Sequence, residues 1–323
     1  MTPDVRRLAL SEEVMARLRT LADVVELDAG DLTAPHARPL LADSEILLSG
    51  WGCPVIDEQV LSAAPRLRAV VHAAGSVKHH LSPAVWRRGL TVSSAAGANA
   101  VPVADYTMSM IQLAAKRVFR EARAYGTSGA VWPALDPSFG LRGRTVGVVG
   151  ASRIGRLVLA RLGTLPVRLL VADPYLDPAE ARALGAELRD LDDLLGASDI
   201  VTLHAPLLPE TTELLGAPRL ALLRDGAVLI NTARGALVDT EALVPHCVSG
   251  RIDAVLDVTE PEPLPAGHPL IGLPNVLLTP HVAGAMGTEV ERLGAFAVDE
   301  IERLVHDLPL LGEVTAEDLS RIA

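Results

Sequence analysis

The chain has 323 residues, of which 49% are hydrophobic and 21% are charged, and its formal net charge is −11. This length predicts two domains, and the composition is sufficient to fill two hydrophobic cores. The acidic balance argues against binding to nucleic acids or to an anionic membrane surface, because both require a basic face.

The first residues lack the apolar segment of a signal peptide, and no run of about 20 apolar residues occurs that could span a membrane. Cys53 and Cys247 are far apart and fit neither a disulfide framework nor a zinc site. We therefore expect a cytoplasmic protein with reduced cysteines and without a metal site.

The first hundred residues alternate between helical and strand-like segments. Ser11 is placed to cap an amphipathic helix. Short apolar runs predict strands at 44–50, 67–76 and 91–96. Because strands that alternate with helices indicate a parallel α/β sheet, we assign residues 1–97 to the first part of one α/β domain.

One long helix is predicted from Asn99 to Tyr125, with Asn99 as its cap and Pro102 in its first turn, where a missing N–H costs little. A segment rich in Gly, Pro and Ser follows at 126–143 and is predicted to be a loop.

A second α/β series begins near residue 145, and we assign residues 98–288 to a second α/β domain. Its predicted strands lie at 145–150, 167–173, 199–206, 227–235, 251–258 and 275–281. This is the βαβ rhythm of a dinucleotide-binding domain. A final helix at 289–308 is expected to return the chain to the first domain, so that 289–323 completes a discontinuous first domain. The predicted fold class is α/β, with two Rossmann-like or flavodoxin-like domains on parallel sheets.

The turn after the strand at 145–150 has the strand, glycine turn and helix start of a dinucleotide fingerprint. Gly150 makes the turn, and Gly155 lets the helix pack closely on the sheet. The pyrophosphate is expected at the helix N-terminus, where free N–H groups point towards it. Ser152 replaces the middle glycine, and its side chain either crowds the cofactor or donates a hydrogen bond to a phosphate oxygen.

Asp173 ends the next predicted strand, where an acid accepts hydrogen bonds from the adenosine ribose. Its negative charge would repel a 2′-phosphate, so the sequence favours NAD over NADP. Asp173 could instead cap the following helix, but Asp177 suits that role better.

Three later strands are apolar but end in polar residues. Arg234 follows the first of them, Asp257 and Glu262 follow the second, and His281 follows the third. In an open parallel sheet, ligands bind at the carboxyl ends of the strands. If these strands are neighbours, their polar side chains meet in one place.

These residue types suit the reduction of a 2-oxo acid. The planar cation of Arg234 can hold a carboxylate and polarise a ketone. His281 can supply a proton near neutral pH, and Glu262 on its second nitrogen would orient the ring and favour its protonated form. Each residue also has a purely structural interpretation: a surface ion pair for Arg234, an acidic loop for Glu262 and a packing role beside Pro280 for His281.

The chain resembles the D-isomer-specific 2-hydroxyacid dehydrogenase family along nearly its whole length. The segments that carry the resemblance are LRGRTVGVVGASRIGR, VTLHAPLLPETTELL, NTARGALVD, LDVTEPEPLP and LLTPHVAG. The resemblance implies that Arg234 anchors the substrate, that Glu262 is the partner of the histidine and that His281 is the acid/base. It also implies a split substrate domain formed by 1–97 and 289–323, an NAD-binding Rossmann domain at 98–288, and a homodimer built around the helix near 100–125.

The resemblance further implies the positions that hold NAD. Backbone at Arg153 and Ile154 would hold the pyrophosphate, and Asp173 would hold the ribose. The other implied cofactor contacts are Gly150, Ser152, Gly155, His204, Ala205, Pro206, Thr232, Ala233, Arg234, Asp257, His281 and Gly284.

The segment AAGSVKHHL corresponds to the substrate-carboxylate loop of the family. Backbone N–H groups near Ser76 and Val77 are implied to bind the carboxylate. Val77, Lys78 and His79 occupy a stretch in which the family usually has a second glycine and then an acid. Lys78 points to an additional anionic group on the substrate, such as a phosphate.

The sequence thus predicts an enzyme that uses NAD to interconvert a small D-2-hydroxy acid and a 2-oxo acid. One alternative is a non-catalytic, NAD-sensing regulatory protein on the same fold, although the complete set of Arg, Glu and His favours an enzyme. Another alternative is the oxidation of a different acid. Formate is disfavoured because formate-type relatives carry Gln in place of Glu262, whereas phosphite stays open.

Overall fold

The computed structural model describes residues 1–27, 30–129 and 139–322. The chain divides into two compact units, which we call unit 1 (Met1–Ala100 with Ala285–Ala323) and unit 2 (Val101–Gly284). The assignment of substrate and cofactor binding to separate domains stays a prediction.

Each unit contains one sheet, and every pairing between its strands is parallel within the described residues. The sheet of unit 1 has the order β1-β2-β3, with β1 Ile46–Ser49, β2 Ala69–His72 and β3 Thr91–Ser94. The sheet of unit 2 has the order β10-β9-β8-β7-β4-β5-β6. Its strands are β4 Thr145–Val149, β5 Arg168–Ala172, β6 Glu187–Leu188, β7 Ile200–Leu203, β8 Val228–Asn231, β9 Asp253–Leu256 and β10 Val276–Leu278. The predicted α/β class is confirmed.

The described residues also form thirteen α-helices. They are α1 Pro3–Ala9, α2 Glu12–Leu21, α3 Ala37–Asp43, α4 Glu58–Ala63, α5 Pro83–Arg87, α6 Ala96–Ala115, α7 Val118–Ser128, α8 Arg153–Leu162, α9 Pro178–Ala183, α10 Leu191–Ala197, α11 Ala217–Leu222, α12 Thr240–Val248 and α13 Val290–Val305. Ser11 caps α2 as expected, since its side chain accepts a hydrogen bond from Val14 N. Among the helices of residues 1–27, 30–129 and 139–322, none combines the length and the apolar character of a membrane-spanning segment.

The sheet of unit 2 is buried on both faces. Successive residues of β5 alternate between two hydrophobic clusters: Leu169 and Val171 belong to one, and Leu170 and Ala172 to the other. Alternate residues of a strand point to opposite faces, so the two clusters cover the two sides of the sheet. This explains why these strands are almost continuously apolar in the sequence.

The prediction of one helix from Asn99 to Tyr125 is wrong. α6 ends at Ala115, and Arg117 adopts a left-handed backbone with φ 51° before α7 begins. The guanidinium of Arg117 pairs with the partly buried carboxylate of Asp253 and fixes this break. Asn99 is not the cap, because α6 begins three residues earlier and Asn99 Oδ1 accepts a hydrogen bond from Ala285 N.

The predicted loop at 126–143 is only partly covered by the structure. Residues 126–128 belong to the end of α7, so the loop begins later than expected. Residues 130–138 lie outside the described residues.

Candidate active site

Three neighbouring strands of unit 2 present the predicted catalytic residues. β8, β9 and β10 are adjacent and parallel, so the residues that follow them lie at the same edge of the sheet. Arg234 follows β8, Glu262 follows β9 and His281 follows β10.

His281 and Glu262 form a hydrogen bond. Nδ1 of His281 lies 2.8 Å from Oε1 of Glu262, and the two side chains are 53% and 41% exposed. A carboxylate on Nδ1 fixes the ring orientation and requires the proton on that nitrogen. Nε2 of His281 has no hydrogen-bond partner in the described part of the chain, so it is available to a ligand.

The backbone at His281 is held in an unusual conformation. Its φ is 55°, in the left-handed region that residues other than glycine rarely adopt. The N–H of His281 donates to the carbonyl oxygen of Asp257 at 2.9 Å. The carboxylate of Asp257, only 1% exposed, accepts hydrogen bonds from Thr279 Oγ1 at 2.6 Å and from the N–H groups of Val282 and Ala283 at 2.9 Å. Asp257 thus binds the loop on both sides of His281 and stabilises this conformation.

The loop that carries Arg234 is organised by Asn231, the last residue of β8. Asn231 Oδ1 accepts from Ala233 N at 3.0 Å, and its Nδ2 donates to the carbonyl oxygen of Arg234 at 2.8 Å. Burial lowers the pKa of the Arg234 guanidinium, and the charge of Glu262 opposes this effect. Among the described residues, no carboxylate lies within 4 Å of this guanidinium. Its charge is therefore available to an anionic ligand.

Gly235 is a site residue that the sequence analysis missed. A Cβ at this position would overlap the carbonyl oxygen of Thr259, in the loop that leads to Glu262. The absence of a side chain therefore lets the Arg234 loop and the Glu262 loop pack together. The available signal was a glycine directly after the arginine of a strand-end turn, where close backbone approach is a common reason for glycine.

The fingerprint turn has the expected geometry. Gly150 has φ 94°, and a Cβ there would lie 2.6 Å from Ala205 N. A Cβ on Gly155 would overlap the carbonyl oxygen of Gly150. Ser152 caps α8, because its Oγ accepts a hydrogen bond from Gly155 N at 3.3 Å. Its own hydroxyl proton has no acceptor in the described residues.

Asp173 lies beside this turn. Its Oδ2 accepts a hydrogen bond from Ala151 N at 2.7 Å, and its Oδ1 accepts one from Tyr175 N at 2.8 Å. A carboxylate has about four acceptor positions, so Asp173 retains capacity for ribose hydroxyls. Asp177 caps α9 through a complete capping box, as expected. These residues fit a dinucleotide at the start of α8.

Residues 108–283 match the model of the NAD binding domain of the D-isomer specific 2-hydroxyacid dehydrogenases. The chain belongs to this family. The resemblance drawn from the sequence is therefore confirmed, and the family supports NAD as the cofactor.

Two curated relatives and one solved structure illustrate the similarity. The chain is 38% identical over 299 residues to a glyoxylate reductase of Thermofilum pendens, with 89% of this chain and 87% of that protein covered. It is 34% identical to a D-3-phosphoglycerate dehydrogenase of Mycobacterium leprae, with 94% of this chain but only 56% of that protein covered. The chain thus spans about half the length of the phosphoglycerate dehydrogenases that it matches. A crystal structure of a protein from Thermus thermophilus has a TM-score of 0.76 at 35% identity and covers 94% of this chain and 96% of that chain.

Some cofactor positions that the family resemblance implies have buried side chains. His204 Nε2 lies 2.9 Å from Thr202 Oγ1, and burial lowers the pKa of His204 to about 3, so its ring is neutral and packed. Thr232 is buried too and is bonded to Thr107. The side chains of Ala205 and Ala233 are buried, whereas Pro206 and Gly284 are partly exposed.

In unit 1, the residues matching the family's carboxylate-binding loop follow β2. The side chain of Val77 is fully buried, so only its backbone could contact a ligand. Ser76 Oγ accepts a hydrogen bond from Lys78 N at 3.3 Å. The backbone N–H groups of Ser76 and Val77 donate to no acceptor within the described residues.

Cys53 and Cys247 are free thiols, and burial raises the pKa of Cys247 to about 12. Within the described ranges, no three side chains of His, Cys, Asp or Glu are placed to hold a metal ion.

Proposed function

We propose that this chain is an NAD-dependent dehydrogenase that interconverts a D-2-hydroxy acid and the corresponding 2-oxo acid. The observation that carries the proposal is the hydrogen bond between His281 and Glu262 at the sheet edge where Arg234 has no carboxylate partner among the described residues. Membership of the family supports this class of reaction.

NAD, when bound, supplies or accepts the hydride. The N–H groups of Arg153 and Ile154 at the start of α8 would hold the pyrophosphate, as free N–H groups of helix N-termini do. The hydroxyl of Ser152 would donate to a phosphate oxygen, since its oxygen already accepts from Gly155 N and its proton is unused among the described residues. Asp173 would accept hydrogen bonds from the ribose hydroxyls.

The three strand-end residues act on the substrate in different ways. Arg234 binds the carboxylate of the substrate. Nε2 of His281 donates a proton to that oxygen during reduction and removes it during oxidation. Glu262 holds Nδ1, so that the ring stays oriented and Nε2 is the nitrogen that transfers the proton.

Three further expectations from the sequence do not decide the proposed function. The N–H groups of Ser76 and Val77 are proposed to bind a carboxylate. The homodimer around the helical region near 100–125, which is α6 and α7, and the cytoplasmic location also stay predictions.

The deciding experiment is a panel of 2-oxo acids with NADH and NADPH side by side. The panel includes glyoxylate, hydroxypyruvate, its phosphate ester and bulkier 2-oxo acids. We expect oxidation of NADH by at least one of them, slower oxidation of NADPH, and the D configuration in every product that has a stereocentre; the product of glyoxylate is achiral and reports turnover only. Binding of NADH without turnover of any acid would contradict the proposal and support an NAD-sensing protein.

A further inference from the structure

Helix α6 contacts the loop that carries His281 and the loop that carries Arg234 through two consecutive residues. The hydroxyl of Tyr106 lies 2.7 Å from Oγ1 of Thr279, and Oγ1 of Thr107 lies 2.9 Å from Oγ1 of Thr232. Each of these loop threonines stands two positions before a side chain that we place in the reaction. The helix is therefore connected separately to the proton-transfer loop and to the anion-binding loop.

The direction of the first connection follows from proton counting. A threonine hydroxyl has one proton, and that of Thr279 is donated to Oδ1 of Asp257. Tyr106 must therefore donate to Thr279. Burial raises the pKa of the Tyr106 phenol; the hydrogen bond with Thr279 opposes this effect and the nearby charge of Asp257 adds to it, and the net shift is upward, so the donor keeps its proton. The chain of hydrogen bonds from Tyr106 thus ends on the carboxylate that binds both sides of the His281 loop.

The second connection has the opposite direction. Thr107 Oγ1 donates its proton to the carbonyl oxygen of Val103 at 2.8 Å, so it must accept from Thr232. Both threonine side chains are buried, where a lost hydrogen bond is not replaced by water. Thr232 directly follows Asn231, the residue that organises the Arg234 loop.

We propose that Tyr106 and Thr107 are positioning residues with separate effects, Tyr106 on proton transfer by His281 and Thr107 on substrate binding by Arg234. The inference rests on the proposed function. A displaced proton donor weakens an interaction made in the transition state and lowers kcat, whereas a displaced anchor weakens binding throughout and raises KM.

The test is a kinetic comparison of two conservative variants. Tyr106→Phe keeps the ring and removes the donor, and we expect kcat to fall by about tenfold with KM for the 2-oxo acid within about twofold. Thr107→Val keeps the shape and removes the acceptor, and we expect KM to rise by about tenfold with kcat within about twofold. The dissociation constant of oxamate, an unreactive analogue of a 2-oxo acid, should rise in Thr107→Val but not in Tyr106→Phe.

Matched variants separate positioning from general damage to the helix. Thr107→Ser retains the hydroxyl and should restore the KM and the oxamate affinity. Ser109→Ala removes an exposed hydroxyl that bonds to the carbonyl oxygen of Asp105 in its own helix, and it should behave as wild type. If Thr107→Val does not fold, Thr232→Val replaces it, because that variant removes the donor of the same hydrogen bond.

The outcomes distinguish this inference from the proposed function. Absence of turnover by the wild type, or full activity of His281→Ala, would contradict the proposed function. Suppose that the wild type is active and His281→Ala is not. The positioning roles would then be overturned if Tyr106→Phe and Thr107→Val changed kcat and KM in the same way as each other, or if neither variant changed them. Loss of thermal stability with unchanged kinetic constants would also overturn them.

Discussion

His281 and Arg234 lie at the same sheet edge, but one side chain is half exposed and bound to a carboxylate, while the other is partly buried and has no carboxylate within 4 Å among the described residues. Glu262 orients the imidazole and can balance its charge after it gains a proton. Arg234 interacts with the charge of Glu262 only at longer range and lies in a partly desolvated place, where an anion is bound more strongly than in water. The proton donor and the anion anchor of one site thus require opposite surroundings.

The largest effect that the comparison of His281 with Arg234 predicts follows removal of the His281 imidazole. We expect His281→Ala to lower kcat by at least about 10²-fold, the usual size of general acid–base catalysis. The dissociation constant for NADH, measured by fluorescence titration, should stay near that of the wild type. Unchanged turnover would remove His281 from the proton-transfer step.

Removal of the Arg234 charge should affect substrate binding more than turnover. In Arg234→Gln we expect KM for the 2-oxo acid to rise by about 10- to 100-fold, which corresponds to the loss of one or two charged hydrogen bonds. The oxamate dissociation constant should rise in parallel. A normal KM with a reduced kcat would instead give Arg234 a role confined to the transition state.

The close approach of the Arg234 loop to the Glu262 loop can be disturbed without changing Arg234 or Glu262. In Gly235→Ala the new methyl group overlaps Thr259, and we expect kcat/KM to fall by about tenfold and the free energy of unfolding to fall by about 1–3 kcal/mol. Gly196→Ala is the control, because a Cβ there meets no atom closer than 3.9 Å. Equal behaviour of both variants in denaturant unfolding and kinetics would show that the loops need no close contact.

Exposed and buried histidines should also differ in how much they contribute to the pH dependence of the free energy of unfolding. Burial lowers the pKa of His204 to about 3 from the ordinary value of 6.5. The unfolded chain therefore binds the extra proton first, so stability is full above pH 6.5 and decreases as the pH falls towards 3. We expect His204→Gln to flatten this decrease in urea unfolding, whereas the exposed His306→Gln should leave it unchanged. If the free energy of unfolding decreased equally with falling pH in both variants, His204 would be ruled out as a cause of the decrease.

The sequence predicted the strands of unit 2 well because burial on both faces makes each strand a nearly continuous apolar run. It missed β6, which has only two residues and lies at the sheet edge. It also missed the break after α6, since the pair formed by Arg117 and Asp253 joins residues far apart in the chain. Local patterns contain no information about such contacts.

The candidate site was predictable to a similar extent. Arg234, Glu262 and His281 were recognisable because polar residues directly follow apolar strands. The contacts of Tyr106 and Thr107 were not, because both residues look like ordinary positions of an amphipathic helix. Their partners become visible only when the strand-end loops are seen beside α6.

The left-handed backbone at His281 has a consequence for engineering. Asn and Gly adopt this conformation more readily than His, so a screen for thermal stability would favour them at this position. Such a screen would select against the imidazole itself. A more heat-resistant variant should therefore be sought elsewhere in the chain, with position 281 kept fixed.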